Sequence, residues 1–332
     1  MKVLLIWLIL ALSSVVCFAD GAGGNNAAGN DGAGAGGGKA FSLAPVLLYR
    51  YVSLDGQQFH ASAGALAFTK GNLSPSPGEE RNSFLLMAMA GQYFFMREHA
   101  SGYAGLYHDM GLFAEGRFRR HQVLGLLQSA SAEPFYGGLR TVQAGAGYGY
   151  EVLRTQQLSL TLGGMLAVSE FGLEYADGKS WPVIPLPVIR FSLNSPFITL
   201  DAEFVAEPSL KCTLLPEGRV RVVTETRMHR YRNVRDVIFD GSLWYRFFDR
   251  DSKRGDFAGI GIGANSNSAY FTFGEKDKTY ELQYFSVYGK LDLSFLNLSG
   301  GYAFGGRELF DGETTRGAGD GFFAAVQLAY RF

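Results

Sequence analysis

Cysteine is almost missing from this chain: Cys17 and Cys212 are the two in 332 residues. Cys17 falls among the first twenty residues, so a chain cut after Ala19 keeps one thiol and forms no internal disulfide. Neither sign of charge prevails. Lys plus Arg number 30 against 31 for Asp plus Glu, which excludes the basic footprint of a nucleic-acid binder. Long apolar runs are also lacking beyond residue 20, and a mean hydropathy of +0.03 is far too low for a bundle of membrane helices. Enzyme signatures are absent as well: there is no Gly-x-Ser-x-Gly, His-Glu-x-x-His, P-loop or Cys-x-x-Cys. The histidines are scattered at His60, His99, His108, His121 and His229. His108-Asp109 is the one adjacent acid–base pair and reads as two polar side chains at the surface, so no catalytic set, cofactor site or metal site is expected.

What is present points outward from the cell. Lys2 followed by the apolar stretch Val3–Val16 and the small residues of Cys17-Phe18-Ala19 has the layout of a secretory signal peptide, residues 1–19. Lipidation at Cys17 is the competing reading, although Val16 is a poor residue before a lipidated cysteine. Residues 20–40 are nearly all Gly, Ala and Asn and cannot bury enough surface to offset their ordering entropy, so they are expected to form a flexible leader. Residues 41–332 then hold one pattern to the end, rich in Gly, Tyr and Phe. Lipid satisfies no backbone group, so a membrane chain without apolar helices crosses as a closed barrel.

Period-two alternation supports this. From Phe197 to Leu215 the even positions Ile198, Leu200, Ala202, Phe204, Ala206, Leu210, Cys212 and Leu214 are apolar, while Asp201, Glu203, Glu207 and Lys211 lie among the odd ones. That spacing predicts a single long strand, with Pro208 as a bend or bulge. Pro216-Glu217-Gly218 predicts a tight turn, and Val220, Val222 and Thr224 then alternate with Arg219, Arg221 and Glu225. Further alternation runs through 141–150, 158–169 and 236–247. Aromatics near expected strand ends (Tyr49, Tyr51, Tyr93, Phe94, Phe95, Trp244, Phe247) read as interface girdles. At about 10 to 14 residues per strand plus turns, residues 41–332 suit about 12 strands, within 10 to 14. Turn chemistry places loops at 70–82, 120–137, 174–182, 249–256, 273–279 and 305–320. The fold class is all-β: a closed antiparallel transmembrane β-barrel.

Three groups of residues carry the functional expectations. Asp201, Glu203, Glu207, Arg219, Arg221, Glu225, Arg227, Asp240 and Arg246 fall on polar faces and are expected to line the lumen. If Leu215 faces Arg219, paired positions sum to 434, which sets Glu207 against Arg227 and Thr213 against Arg221. Phe322, Ala324, Val326, Leu328, Tyr330 and Phe332 alternate to the C-terminus and resemble the sorting signal read by the outer-membrane insertion machinery. Arg117-Phe118-Arg119-Arg120-His121 reads as a solvated loop edge, or as a contact for phosphate-bearing lipid headgroups.

The third group rests on a resemblance. Ala146-Gly147-Tyr148-Gly149-Tyr150-Glu151, then Trp181-Pro182-Val183-Ile184-Pro185-Leu186-Pro187, then Pro196-Phe197-Ile198-Thr199 running to Pro208, resembles the second half of the lipid A palmitoyltransferase barrel. The likeness covers roughly 103–208. It implies that Pro182, Pro185, Pro187 and Pro196 interrupt strand pairing and leave a lateral gap for lipid, because proline has no N–H to donate. That family is an eight-stranded barrel, whereas this chain runs on for more than a hundred residues past the motif. Its Asp-Ser pair belongs near the Gly105-Leu106-Tyr107 match, yet Asp251-Ser252 lies far downstream, so no catalytic residue carries over. The sequence therefore predicts an outer-membrane, porin-like channel with a charged lumen, in contact with membrane lipids and small solutes. A lipid-binding or acyltransferase-like barrel, or a structural or adhesive barrel acting through its loops, is the alternative.

Overall fold

A computed structural model describes residues 41–71, 82–97, 105–136, 141–168, 183–205, 208–228, 237–247, 258–272, 278–293 and 295–329. The signal peptide and leader, and with them Pro182, Glu207, Tyr330 and Phe332, lie outside the described residues. The strands are β1 (Phe41–Leu54), β2 (Gln58–Gly71), β3 (Asn82–Phe95), β4 (Leu106–Phe118), β5 (His121–Ser131), β6 (Gln143–Arg154), β7 (Leu158–Val168) and β8 (Val183–Asn194). They continue with β9 (Ile198–Phe204), β10 (Pro208–Leu214), β11 (Val220–Met228), β12 (Val237–Arg246), β13 (Ala258–Thr272), β14 (Thr279–Leu293), β15 (Leu296–Phe310) and β16 (Glu313–Ala329). Each pairs antiparallel with the next and β16 pairs with β1, closing the barrel. No helix occurs among the described residues.

The barrel has 16 strands rather than about 12. Two of the expected loops are strand instead. Residues 120–137 hold β5 after a two-residue turn, and 305–320 hold the ends of β15 and β16 around Asp311-Gly312. The expected long strand 197–215 is a hairpin of two seven-residue strands, β9 and β10. Leu200 lies opposite Cys212 and Phe204 opposite Pro208, so paired residues share parity and the alternation passes through the hairpin unbroken. Pro208 opens β10, a position where a missing N–H is tolerated.

The outward face is an apolar belt. Leu166 (59% exposed), Ile262 (65%) and Phe322 (54%) are as open as large side chains can be in a sheet, a disposition that lipid solvates and water does not. Part of the expected girdle points the other way. Tyr49, Phe94 and Phe247 are outward and exposed, whereas Tyr93, Phe95 and Trp244 are buried inside the barrel.

Candidate functional site

The interior has two unlike walls. On β9–β14 the inward face is charged and polar. Cross-strand pairing aligns Asp201, Lys211, Glu225, Asp240, Asn265 and Ser286 in one row, alternating in sign through its first three members. Asp240 accepts from the Tyr288 hydroxyl (2.7 Å) and from Asn265 (3.4 Å). Two ranks nearer the chain termini, past Val223, Ser242, Gly263 and Tyr288, come Arg221, Trp244, Gly261 and Lys290. Gly261 carries no side chain, so the Trp244 indole lies over it; a Cβ there would stand 2.9 Å from the ring. Arg221 sits 5.4 Å and Lys290 5.2 Å from that ring, both in cation–π range. Arg246 lies beyond, in line with Gly259 and Asp292.

The wall of β1–β3 is nearly without charge. Val46 and Leu48 on β1, Ala61, Ala63, Ala65 and Ala67 on β2, and Leu85, Met87 and Met89 on β3 share the inward side. The two walls meet at mid-depth, where Arg50 of β1 donates to Asn267 Oδ1 on β13 (3.2 Å). Arg50 also lies 5.3 Å from the Phe323 ring.

At the end remote from the termini, side chains fill the interior. Tyr107 stacks between Phe271 (4.5 Å between centroids) and Tyr280 (5.4 Å), with Tyr93 and Phe95 edge-on. Here β13 touches β5 across the barrel: Thr272 pairs with Ser131 and its hydroxyl donates to Ala130 O at 3.1 Å. Beside this seam Glu308 is wholly buried and accepts from Gln57 and Tyr280, both at 2.9 Å, and pairs with Arg316 at 2.5 Å.

A second ion cluster braces the opposite side. Arg190 of β8 bridges Glu115 on β4 (2.9 Å) and Glu203 on β9 (2.5 Å), and Glu115 also holds Arg117. Between β8 and β4, β6 turns Gly145, Gly147 and Gly149 inward. A Cβ on Gly147 would come within 2.7 Å of the Met165 side chain. Leu124, Met165, Val188 and Val205 pack over that glycine strand.

The wall itself is notched. β8 pairs with β7 along its whole length but with β9 only from Ile189 to Asn194, leaving Val183–Val188 beyond the short β9–β10 hairpin. Asn194 N–H points to β7, bonding Gln157 O, and backbone groups alternate sides along an antiparallel strand. Pro185 and Pro187 therefore present their missing N–H groups to the notch. Pro196 does not join them, because it sits in the β8–β9 turn at the terminal end.

Several expected positions shift. The β10–β11 register pairs Leu214 with Val222, a slip of two residues from the expected one. Parity survives, so Arg221, Glu225 and Arg227 stay inward, but Arg227 faces Ser209 and Thr213 faces Val223. Arg219 lies exposed in the turn and not on the lumen wall. Asp201, Glu203, Asp240 and Arg246 fall on the inward side, and Phe322, Ala324, Val326 and Leu328 alternate outward on β16. Arg117 turns inward to Glu115 instead of edging a loop. Sequence reading missed Arg50, Glu115, Arg190, Lys290 and Glu308. Lys290 and Asp292 continue the even phase of Tyr284, Ser286 and Tyr288, but that face mixes aromatic and polar residues and gives no clean alternation.

No protein-family model and no curated protein matches the sequence. Among solved structures the chain is similar in shape to OccAB3 of Acinetobacter baumannii (TM-score 0.41, 10% identity, 88% of this chain and 99% of that one). It is also similar to the Pseudomonas aeruginosa outer membrane protein OpdK (0.36, 10%, 88% and 99%) and to Pseudomonas putida OprB at low pH (0.33, 8%, 89% and 93%). Likenesses at this level say nothing about solutes.

Proposed function

We propose that the chain is an outer-membrane channel for small solutes. The observation that carries this reading is the inward face of β9–β14, where consecutive strands turn Asp201, Lys211, Glu225, Asp240, Lys290 and Asp292 into the barrel. A barrel built only as a structural post would gain more from an apolar filling there, because desolvating charges costs more than pairing them returns. Short turns at 119–120, 155–157 and 195–197 lie at the terminal end, as on a periplasmic rim, and 55–57 and 311–312 are short at the other end. The outward residues of β16, whose spacing the sequence repeats at Tyr330 and Phe332, fit recognition by the insertion machinery. Refolded, heat-modifiable protein in a planar bilayer is expected to give stepwise conductance. Silence across a full voltage sweep from protein shown to be inserted would overturn the channel.

The notch at Pro185 and Pro187 favours a second reading, a lipid-handling barrel with a sideways route through its wall. Acyl transfer between phospholipid and a lipid acceptor, without conductance, is the outcome that selects it.

A further inference from the structure

Depth inside the barrel can be matched across the lumen. Arg50 meets Asn267, and Asn267 pairs with Tyr284. Six residues toward the terminal end from Arg50 and from Tyr284 come Ala44 on β1 and Lys290 on β14. Ala44 pairs with Ala67, and Ala67 with Met87. The Arg221–Trp244–Lys290 cluster and the Ala44–Ala67–Met87 patch therefore flank the same inner half of the lumen, below the aromatic seam.

The two sides ask for different things of a ligand. At the rank of the indole and the rank beyond it Arg221, Lys290 and Arg246 outnumber Asp292, so this part of the polar side carries an excess of positive charge and draws an anionic head, whereas the row of Asp201, Lys211, Glu225 and Asp240 above it is acidic. The patch opposite offers methyl and thioether surface, bordered at its terminal edge by the hydrogen-bonded Ser42 and Thr69 hydroxyls, and water wets it poorly while a hydrocarbon covers it favourably. An inorganic anion would use one side only, and an uncharged hydrocarbon the other.

We infer that this inner vestibule binds amphipathic anions, small molecules with one negative head and an apolar body. The head lies at Lys290 and Arg221, and the body lies along Ala67 and Met87. The inference rests on the channel reading for solute access from the terminal end, and it names the solute class that such a channel takes.

Trp244 supplies a readout that needs no current. In a Trp181→Phe background it is the single indole of residues 20–332. Refolded protein would be titrated with hexanoate, acetate, hexanol and hexylammonium while the indole emission is followed. Hexanoate is expected to bind at least tenfold more tightly than each of the other three. Lys290→Gln and, separately, Met87→Gln should each weaken hexanoate at least fivefold in variants that retain heat-modifiable mobility. Equal response to hexanoate and acetate overturns the role of the apolar patch, and equal response to hexanoate and hexylammonium overturns that of the cations. Either result sinks the inference. A barrel that conducts but ignores hexanoate sinks it while sparing the channel. One that binds hexanoate selectively and never conducts supports it and removes the channel.

Discussion

Glu308 shows how much one side chain can hold in this barrel. Its carboxylate is fully buried, yet three donors from β14, β16 and the β1–β2 turn converge on it. Glu308→Ala would leave Gln57, Tyr280 and Arg316 aimed at an empty site. Removing one partner of a buried pair typically costs about 3–5 kcal/mol, and the half-exposed Arg316 lowers the expectation here to about 2–3 kcal/mol. Urea unfolding of the refolded barrel measures this, and a loss below 1 kcal/mol would mean that water already reaches the cluster. Ile262 tests the opposite face. It is the most exposed of the β13 side chains and sits well inside that strand, so Ile262→Arg places a cation in hydrocarbon and should cost about 2–4 kcal/mol near the midplane. Asn265→Arg, one step around to the lumen, should cost far less, and equal losses at both sites would argue against a lipid-facing belt.

At the scale of the strand, period two reports which face a residue takes but not where a strand ends. In β9, β10 and β11 paired residues have the same parity, so one alternation runs through two turns without a break. The reading of 197–215 as one strand failed for this reason, and Pro208 was the visible sign of the turn. The same arithmetic explains why a two-residue slip in the β10–β11 register left Arg221 and Arg227 on their expected face while Arg219 moved into the turn. Cysteine pairing can check the register. Thr224→Cys lies directly opposite Cys212 and should oxidise to a disulfide that leaves no thiol for maleimide, whereas Val222→Cys, on the diagonal, should keep two labelled thiols. The reverse pattern would restore the register inferred from the Pro216-Glu217-Gly218 turn.

For the molecule as a whole, the rings of Tyr107, Phe271 and Tyr280 close the end remote from the termini, where β5 and β13 touch. Paired substitution Tyr107→Ala with Phe271→Ala removes the stack while leaving the Thr272–Ala130 hydrogen bond, and single-channel conductance should rise severalfold. Unchanged conductance would place the solute path elsewhere, beside the β9–β10 notch. The alternating faces, the outward belt, the inward side of Asp201, Arg221, Glu225, Arg227 and Asp240, and the prolines of β8 were all legible in the sequence, because side-chain direction in a strand follows from position alone. The strand count was not, because two seven-residue strands hide inside one alternation and glycine-rich or charged strands read as loops. Nor were the pairing of Arg190 with Glu115, the seating of Trp244 between Arg221 and Lys290, and the apolar wall facing them. Those depend on which strands curve toward each other across the lumen, a property of closure and register that only the tertiary structure decides.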